Sequence, residues 1–190
     1  MKVFIFIFYS ILILSIVYRL LVLLWKMKQP IVFPVNEEGW SSIRIYPQKV
    51  VQLPRPSHQK VGITFHILMI VFFLVIMVME YNLDTVTWPI LLLSIVPYLQ
   101  LRRVFTVFAV VQGGILHSGR FIRWESIKGY ECIELNKNHR LYGYGKEVNQ
   151  GFELRFKLNP LYFSSYVLVT DKKVKQKLTE LLDQHIENKG

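Results

Sequence analysis

The sequence predicts an α+β membrane protein in which three transmembrane helices precede an antiparallel β domain closed by a C-terminal helix. Three observations carry that prediction. Runs of Val, Ile, Leu and Phe dominate the first hundred positions and are long enough to cross a bilayer. From residue 104 the chain changes to short apolar segments separated by Gly-Gly and Ser-Gly steps, the signature of hairpins. Near the end, Val174, Leu178, Leu181, Leu182 and Ile186 recur at helical spacing among lysines, forming one apolar stripe.

Composition agrees with this division. The 190 residues allow one domain of ordinary size with chain left over, and 52% of them are hydrophobic, with a mean hydropathy of +0.32. A net charge of +10 raises the question of nucleic acid. The bases lie beside the apolar segments, where the positive-inside rule places them, and no zinc knuckle, helix-turn-helix or aromatic RNA-binding pair accompanies them. No nucleic-acid partner is expected. Cys132 is the one cysteine, so neither an internal disulfide nor a C-x-x-C site can form.

Residues 1–25 are read as the first membrane helix, since residues 3–25 are almost unbroken Val, Ile, Leu, Phe and Tyr. The run is too long for a signal-peptide core and ends in Leu-Leu-Trp-Lys-Met-Lys, which offers no small-residue cleavage site. Residues 26–60 form a polar loop broken by five prolines. It carries Lys26, Lys28, Arg44, Lys49, Arg55 and Lys60 against Glu37 and Glu38, a balance that places it in the cytoplasm. Within it, residues 41–51 partly alternate and predict an edge strand, with Pro47 excluding a place in a sheet centre. Residues 61–101 are read as a membrane hairpin, with helices over 61–79 and about 85–101. Its connection holds Glu80 and Asp84 and no base, which marks the outer side. Pro97 is expected to kink the third helix. Residues 102–190 are then a cytoplasmic domain.

That domain opens on a hairpin at Gly113-Gly114, followed by the Ser118-Gly119 turn and the alternating residues 120–124. Strands are expected over 129–135, 151–158 and 162–169. The segment 151–158 alternates cleanly, with Phe152, Leu154, Phe156 and Leu158 on one face and Glu153, Arg155 and Lys157 on the other. Asp171 is placed to cap a final helix running to about Ile186.

The run Gly114-Ile-Leu-x-Ser-Gly-x-Phe-Ile-x-Trp124-Glu-Ser-Ile127, with the terminal Asp171-Lys-Lys-Val helix, resembles the bacterial pleckstrin-homology-like (PH-like) domains. In particular it is similar to small bacterial proteins in which such a domain follows membrane helices. The resemblance covers residues 104 to about 187. It implies a curved, partly open antiparallel sheet or barrel capped by the last helix and used as a binding or assembly scaffold. Phosphoinositide-binding members carry dense bases in the first hairpin, whereas here its turn is Gln112-Gly-Gly114 and Arg120 and Arg123 come later. Inositol-phosphate binding is therefore not carried over.

Few residues offer chemistry. Arg19 and His66 are intramembrane polar candidates, each six residues, or about 9 Å, from the cytoplasmic end of its helix. No acid lies at that depth to pair with them, so snorkelling for Arg19 and a neutral, hydrogen-bonded ring for His66 are the simpler roles. His117, His139 and His185 lack metal-ligand neighbours, and no metal or cofactor is expected. Ser118 and Ser126 sit in no nucleophile elbow, Glu125, Glu131 and Glu134 read as solvated, and Gly143-Tyr-Gly-Lys146 is not a P-loop. No catalytic residue is assigned and an enzyme is not expected. The binding candidates are Lys137, His139, Arg140, Tyr142, Tyr144 and Lys146, a basic and aromatic loop suited to anionic headgroups or a protein surface.

The function expected from these readings is a non-enzymatic binding or assembly module held at the inner face of the cell membrane. Its partners would be membrane lipids and a protein or peptide. Two alternatives stand beside it: a peptide-toxin immunity or envelope-stress protein, and an accessory subunit of a transporter that uses Arg19 and His66.

Overall fold

The structure, a computed structural model, describes residues 2–83, 88–158 and 165–187. Two long helices dominate its first half: α1 (Lys2–Lys26) and α3 (Lys60–Leu83). At 1.5 Å per residue they run about 37 and 36 Å, enough for a hydrocarbon core of about 30 Å. Both carry two apolar stripes rather than one. On α1, Ile5, Tyr9, Ile16, Leu20 and Leu23 are buried, while Phe4, Ile7, Ile11, Leu14, Tyr18, Leu21 and Trp25 are exposed at the same spacing. On α3, Met69, Phe73 and Ile76 are buried, while Phe65, Leu68, Phe72, Val75 and Met79 are exposed. A helix apolar on every side is a membrane span or a deeply buried core helix, and among the described residues nothing covers these outer stripes.

The expectation of three transmembrane helices is corrected. The third helix, α4 (Trp88–Gln100), has 13 residues and is about 20 Å long, shorter than such a core and so not a span by itself. Proline lies at its second position and again at Pro97, and beyond Gln100 the chain tightens into a 3₁₀ turn over Leu101–Arg103. Residues 84–87, including the start expected near Thr85, lie outside the described ones. Thus among the described residues two helices are long and apolar enough to span a membrane. α4 returns along α1, to which it is joined by hydrogen bonds between hydroxyls: Tyr9 with Ser94 at 3.0 Å and Ser15 with Tyr98 at 2.9 Å.

The β body comprises two antiparallel sheets. The first has the order β1 (Ile31–Phe33), β4 (Phe108–Val111), β5 (Gly114–His117), β6 (Arg120–Arg123). The second has the order β3 (Lys49–Val50), β2 (Ile43–Tyr46), β9 (Ser165–Val169), β8 (Phe152–Leu158), β7 (Ile127–Glu134). The segment between the membrane helices therefore joins both sheets instead of standing apart. Its expected edge strand is β2, which lies between β3 and β9, and Pro47 sits in the turn that leads to the true edge, β3. A short helix, α2 (Glu37–Ser42), bridges β1 and β2.

Between the sheets lies one core. Phe108, Val110, Ile115 and Ile122 face Ile43, Ile45, Leu154, Phe156 and Val167. The last helix, α6 (Lys172–Glu187), closes it with Val174, Leu178 and Leu182. Asp171 caps α6 as expected, its Oδ1 accepting the amides of Lys173 and Val174 at 2.7 and 2.9 Å. The chain passes from one sheet to the other at Trp124–Ser126. There the Trp124 indole donates to the Gln112 carbonyl at 3.3 Å and stacks on His185 of α6.

β4 and β5 are buried on both faces, which explains why they do not alternate. Their second face, with Val107, Ala109, Val111 and Leu116, receives Leu20, Leu23 and Met27 from the last two turns of α1. Phe105 fills the same layer against Gly62 and His66 of α3. The sheet is thus packed directly on the helix ends, without a flexible tether.

Candidate functional site

The loop from Leu135 to Gly151 is a folded element, not a free tip. Leu135, Leu141 and Val148 bury against Leu168 of β9. Backbone polar groups are satisfied within the loop: Asn136 accepts from His139, His139 accepts from Tyr142, and the Asn149 side chain accepts the Gly143 amide at 2.7 Å. A one-turn helix, α5 (Lys146–Asn149), ends it.

Beneath the loop lies Glu153 of β8, whose side chain is 0% exposed. Three donors surround it: His139 Nε2 at 2.8 Å, Arg140 at 3.1 Å and Arg155 at 3.3 Å. The Leu141 amide donates to His139 Nδ1 at 3.2 Å, so Nδ1 is an acceptor and Nε2 carries the ring proton toward Glu153. Arg140 also lies over the Tyr166 ring, 5.1 Å from its centroid. A buried carboxylate must be compensated by donors, and this loop supplies two of the three.

The six loop candidates are therefore divided. His139 and Arg140 are committed to Glu153. Lys137, Tyr142, Tyr144 and Lys146 remain at the surface, Tyr144 being 54% exposed, and they form the outer side of the same loop. Arg19 and His66 serve the helix packing. The Arg19 guanidinium lies 5.5 Å from the centre of the Tyr98 ring, and His66 Nδ1 donates to the Gly62 carbonyl at 2.8 Å while its ring packs on Phe105.

His117 was read from the sequence as a histidine without metal neighbours. Its ring bridges the two sheets. Nε2 lies 2.9 Å from the Tyr166 carbonyl and Nδ1 lies 2.8 Å from the Ser165 hydroxyl, both on β9. A carbonyl can only accept, so Nε2 bears the proton and Nδ1 accepts from Ser165, a neutral ring. Burial pushes its pKa down to about 4, against the partial restoring effect of the bond to Tyr166.

Two features escaped the sequence reading. One is an open groove of about 820 Å³ between the β1–α2 connection and the start of α6, lined by Pro34, Arg44, Val50, Asp171, Lys173 and Lys177 among others. Arg44 is held there by Glu147 of α5 at 2.6 Å, and its Nε has no hydrogen-bond partner among the described residues. The bases facing the groove are balanced by Glu38, Glu147 and Asp171, so it presents no single sign of charge. The second is the junction of α1 with the first sheet, where Lys26 Nζ lies 4.7 Å from the Trp25 ring centre and 4.2 Å from that of Phe121 on β6. Nothing in one-dimensional spacing joins Lys26 to Phe121.

Among the described residues no group of three or more His, Cys, Asp or Glu side chains is arranged to hold a metal ion. Cys132 is exposed on β7. Compared with protein-family models, curated proteins and solved structures, the chain matches none.

Proposed function

We propose that the chain is a membrane-anchored, non-enzymatic binding or assembly module that holds a PH-like β body against the inner face of the cell membrane. The observation that carries this reading is the pair of stripes on α1. One stripe packs on α3 and the first sheet, while Phe4, Ile7, Ile11, Leu14, Tyr18, Leu21 and Trp25 face outward, uncovered by any of the described residues. In water such a surface would be strongly unfavourable, and in a bilayer it is the normal lipid-facing side.

Orientation follows from charge. The helix ends beside the β body carry the bases, whereas the far end of α3 carries Glu80 and the next residue after the helix is Asp84; α4 and the 3₁₀ turn lead the chain back along α1, so the β body belongs on the cytoplasmic side. Two antiparallel sheets capped by a terminal amphipathic helix agree with the PH-like architecture that the Ile122-x-Trp124-x-x-Ile127 step implies. Rigid docking on the helix ends presents the loop of Tyr142 and Tyr144 in one fixed attitude to the membrane. A partner that met the body there would gain from confinement at the surface.

The test is impermeant thiol labelling of intact cells. Single cysteines at Ser41, Asp84 and Asn138 would be introduced in a Cys132→Ser background. Labelling at 84 alone is the expected result. Labelling at 138 would place the β body outside and overturn the assignment.

A further inference from the structure

We propose that the junction between α1 and the first sheet is a binding site for anionic phospholipid headgroups, which clamp the β body to the leaflet. The inference rests on the membrane-anchored reading above and adds a ligand class and its residues.

Charge is distributed unevenly around this junction. Residues 19–28, 60–79 and 101–124, which make up the adjoining helix ends and the first three strands after them, contain eight bases and no acid: Arg19, Lys26, Lys28, Lys60, Arg102, Arg103, Arg120 and Arg123. Of the groups at the centre, Lys26 is the most closely defined. Its ammonium lies over the faces of Phe121 and Trp25, and a ring face holds a cation in place without neutralising it. Trp25 is 63% exposed at the end of the lipid-facing stripe, where an indole sits at the headgroup level of a bilayer.

Strand alternation brings in Arg123. Ile122 points into the core between the sheets, so Phe121 and Arg123 both project from the opposite face, the one α1 covers. Arg123 pairs across β5–β6 with Gly114, and the neighbouring Gly113 borders the Lys26–Phe121 pair, since a Cβ there would be in ordinary contact with Nζ at 3.8 Å and with the Phe121 ring at 3.5 Å. Lys28 is exposed just past the helix end, and Lys60 and Arg103 are exposed at the adjacent ends of α3 and the 3₁₀ turn. The result is a basic collar around the inner ends of the helices, with an amphipathic aromatic at its rim. A lipid phosphate lying at that depth would find Lys26, Lys28, Lys60, Arg103 and Arg123 around it, the acid nearest Arg123 in sequence being Glu125.

This differs from a free-phosphate pocket in one respect that can be measured. The collar joins the lipid-facing stripe, so the ligand is a phosphate already held at the bilayer surface by acyl chains. The experiment is a titration of short-chain phosphatidylglycerol into the full-length chain in neutral detergent, followed by tryptophan fluorescence. Phosphatidylcholine and inorganic phosphate serve as separate comparison titrants. The expected result is a saturable response to phosphatidylglycerol that weakens with salt and is absent for both comparison titrants. Each charge removed, in Lys26→Gln, Arg123→Gln or Lys28→Gln, should raise the midpoint about fivefold, whereas Lys137→Gln, on the distant loop, should leave it unchanged. Lys28 is fully at the surface, so its substitution tests the collar even where a Lys26 variant folds poorly.

Equal midpoints for the wild-type chain and Lys28→Gln and Arg123→Gln would overturn the proposal, as would an equal response to inorganic phosphate. A chain recovered in soluble form without detergent would instead overturn the anchoring reading on which the proposal rests, and the two failures are distinguishable.

Discussion

Replacing Glu153 with Ala is expected to lower the stability of the β body by about 2–3 kcal/mol, because it removes the buried anion on which His139, Arg140 and Arg155 converge. The loss would reach the upper end of the usual range for a broken buried pair only if all three donors were trapped. Arg140 and Arg155 are 60% and 38% exposed and can turn to water, so the value is discounted. His139 is more deeply held and its Nε2 proton would be left without an acceptor. The loss should be local in its dynamic effect, with faster hydrogen exchange at the Leu141 and Gly143 amides, both held by side chains of the loop. By contrast Arg140→Gln should cost below about 1 kcal/mol, as expected for a largely exposed ion-pair partner. Chemical denaturation of the two variants in detergent checks the order. Equal losses would show that the carboxylate does not organise the loop.

Acidification should produce a loss of comparable size through His117. Its folded-state pKa lies at about 4, below the ordinary value of 6.5, because burial between the sheets disfavours the cation. Above pH 6.5 the ring is neutral in both states and its contribution is intact. As pH falls through 6.5 the unfolded chain takes up a proton that the folded one refuses, and stability declines until the folded ring also titrates near pH 4. A shift of this size corresponds to a loss on the order of 3 kcal/mol across that window, with a plateau below it. His117→Gln, which is neutral at every pH and retains polar atoms, should be less stable at pH 7 and lose less between pH 6.5 and 4. The decisive comparison is the slope of thermal stability against pH for the two proteins, and parallel slopes would contradict the assignment.

How far these features could be read in advance depended on whether their cause was local. The clean alternation of residues 151–158 located β8, and its apolar residues Leu154 and Phe156 do face the core, with Leu158 packed against it. The same alternation placed Glu153 on the face opposite the apolar residues, where it is fully buried. Its cover is a loop that begins more than ten residues upstream, and a period of two cannot register a lid that folds over the strand's second face. The Asp171 cap and the stripe of α6 were legible because a cap and its amides lie within three residues of one another.

The third membrane helix failed for a different reason. Hydropathy counted an apolar run from 85 to 101, but prolines near its start and at position 97, with the 3₁₀ turn after Gln100, leave 13 helical residues. Hydropathy measures transfer from water and is insensitive to where the backbone stops being helical. The segment between α1 and α3 is read as a proline-broken loop with one expected edge strand over 41–51, which is β2. Yet Ile31–Phe33 and Ile43–Tyr46 find partners some eighty and more than a hundred residues away, in β4 and β9, which no local signal encodes. Within the loop from Leu135 to Gly151 the residue types are visible in the sequence, but His139 and Arg140 cannot be separated from Tyr142 and Tyr144 without knowing which of them faces Glu153.

The central claim is that α1 and α3 lie in a bilayer with the β body fixed to their ends. Alkaline carbonate extraction of membranes from cells making the full-length chain tests it most directly, because it strips proteins held by charge and leaves those with helices embedded in hydrocarbon. The account predicts that the chain stays with the membrane pellet, with the outward stripe from Phe4 to Trp25 buried in lipid. Recovery of the chain in the supernatant would contradict it, and the exposed stripes of α1 and α3 would then have to be a protein–protein interface.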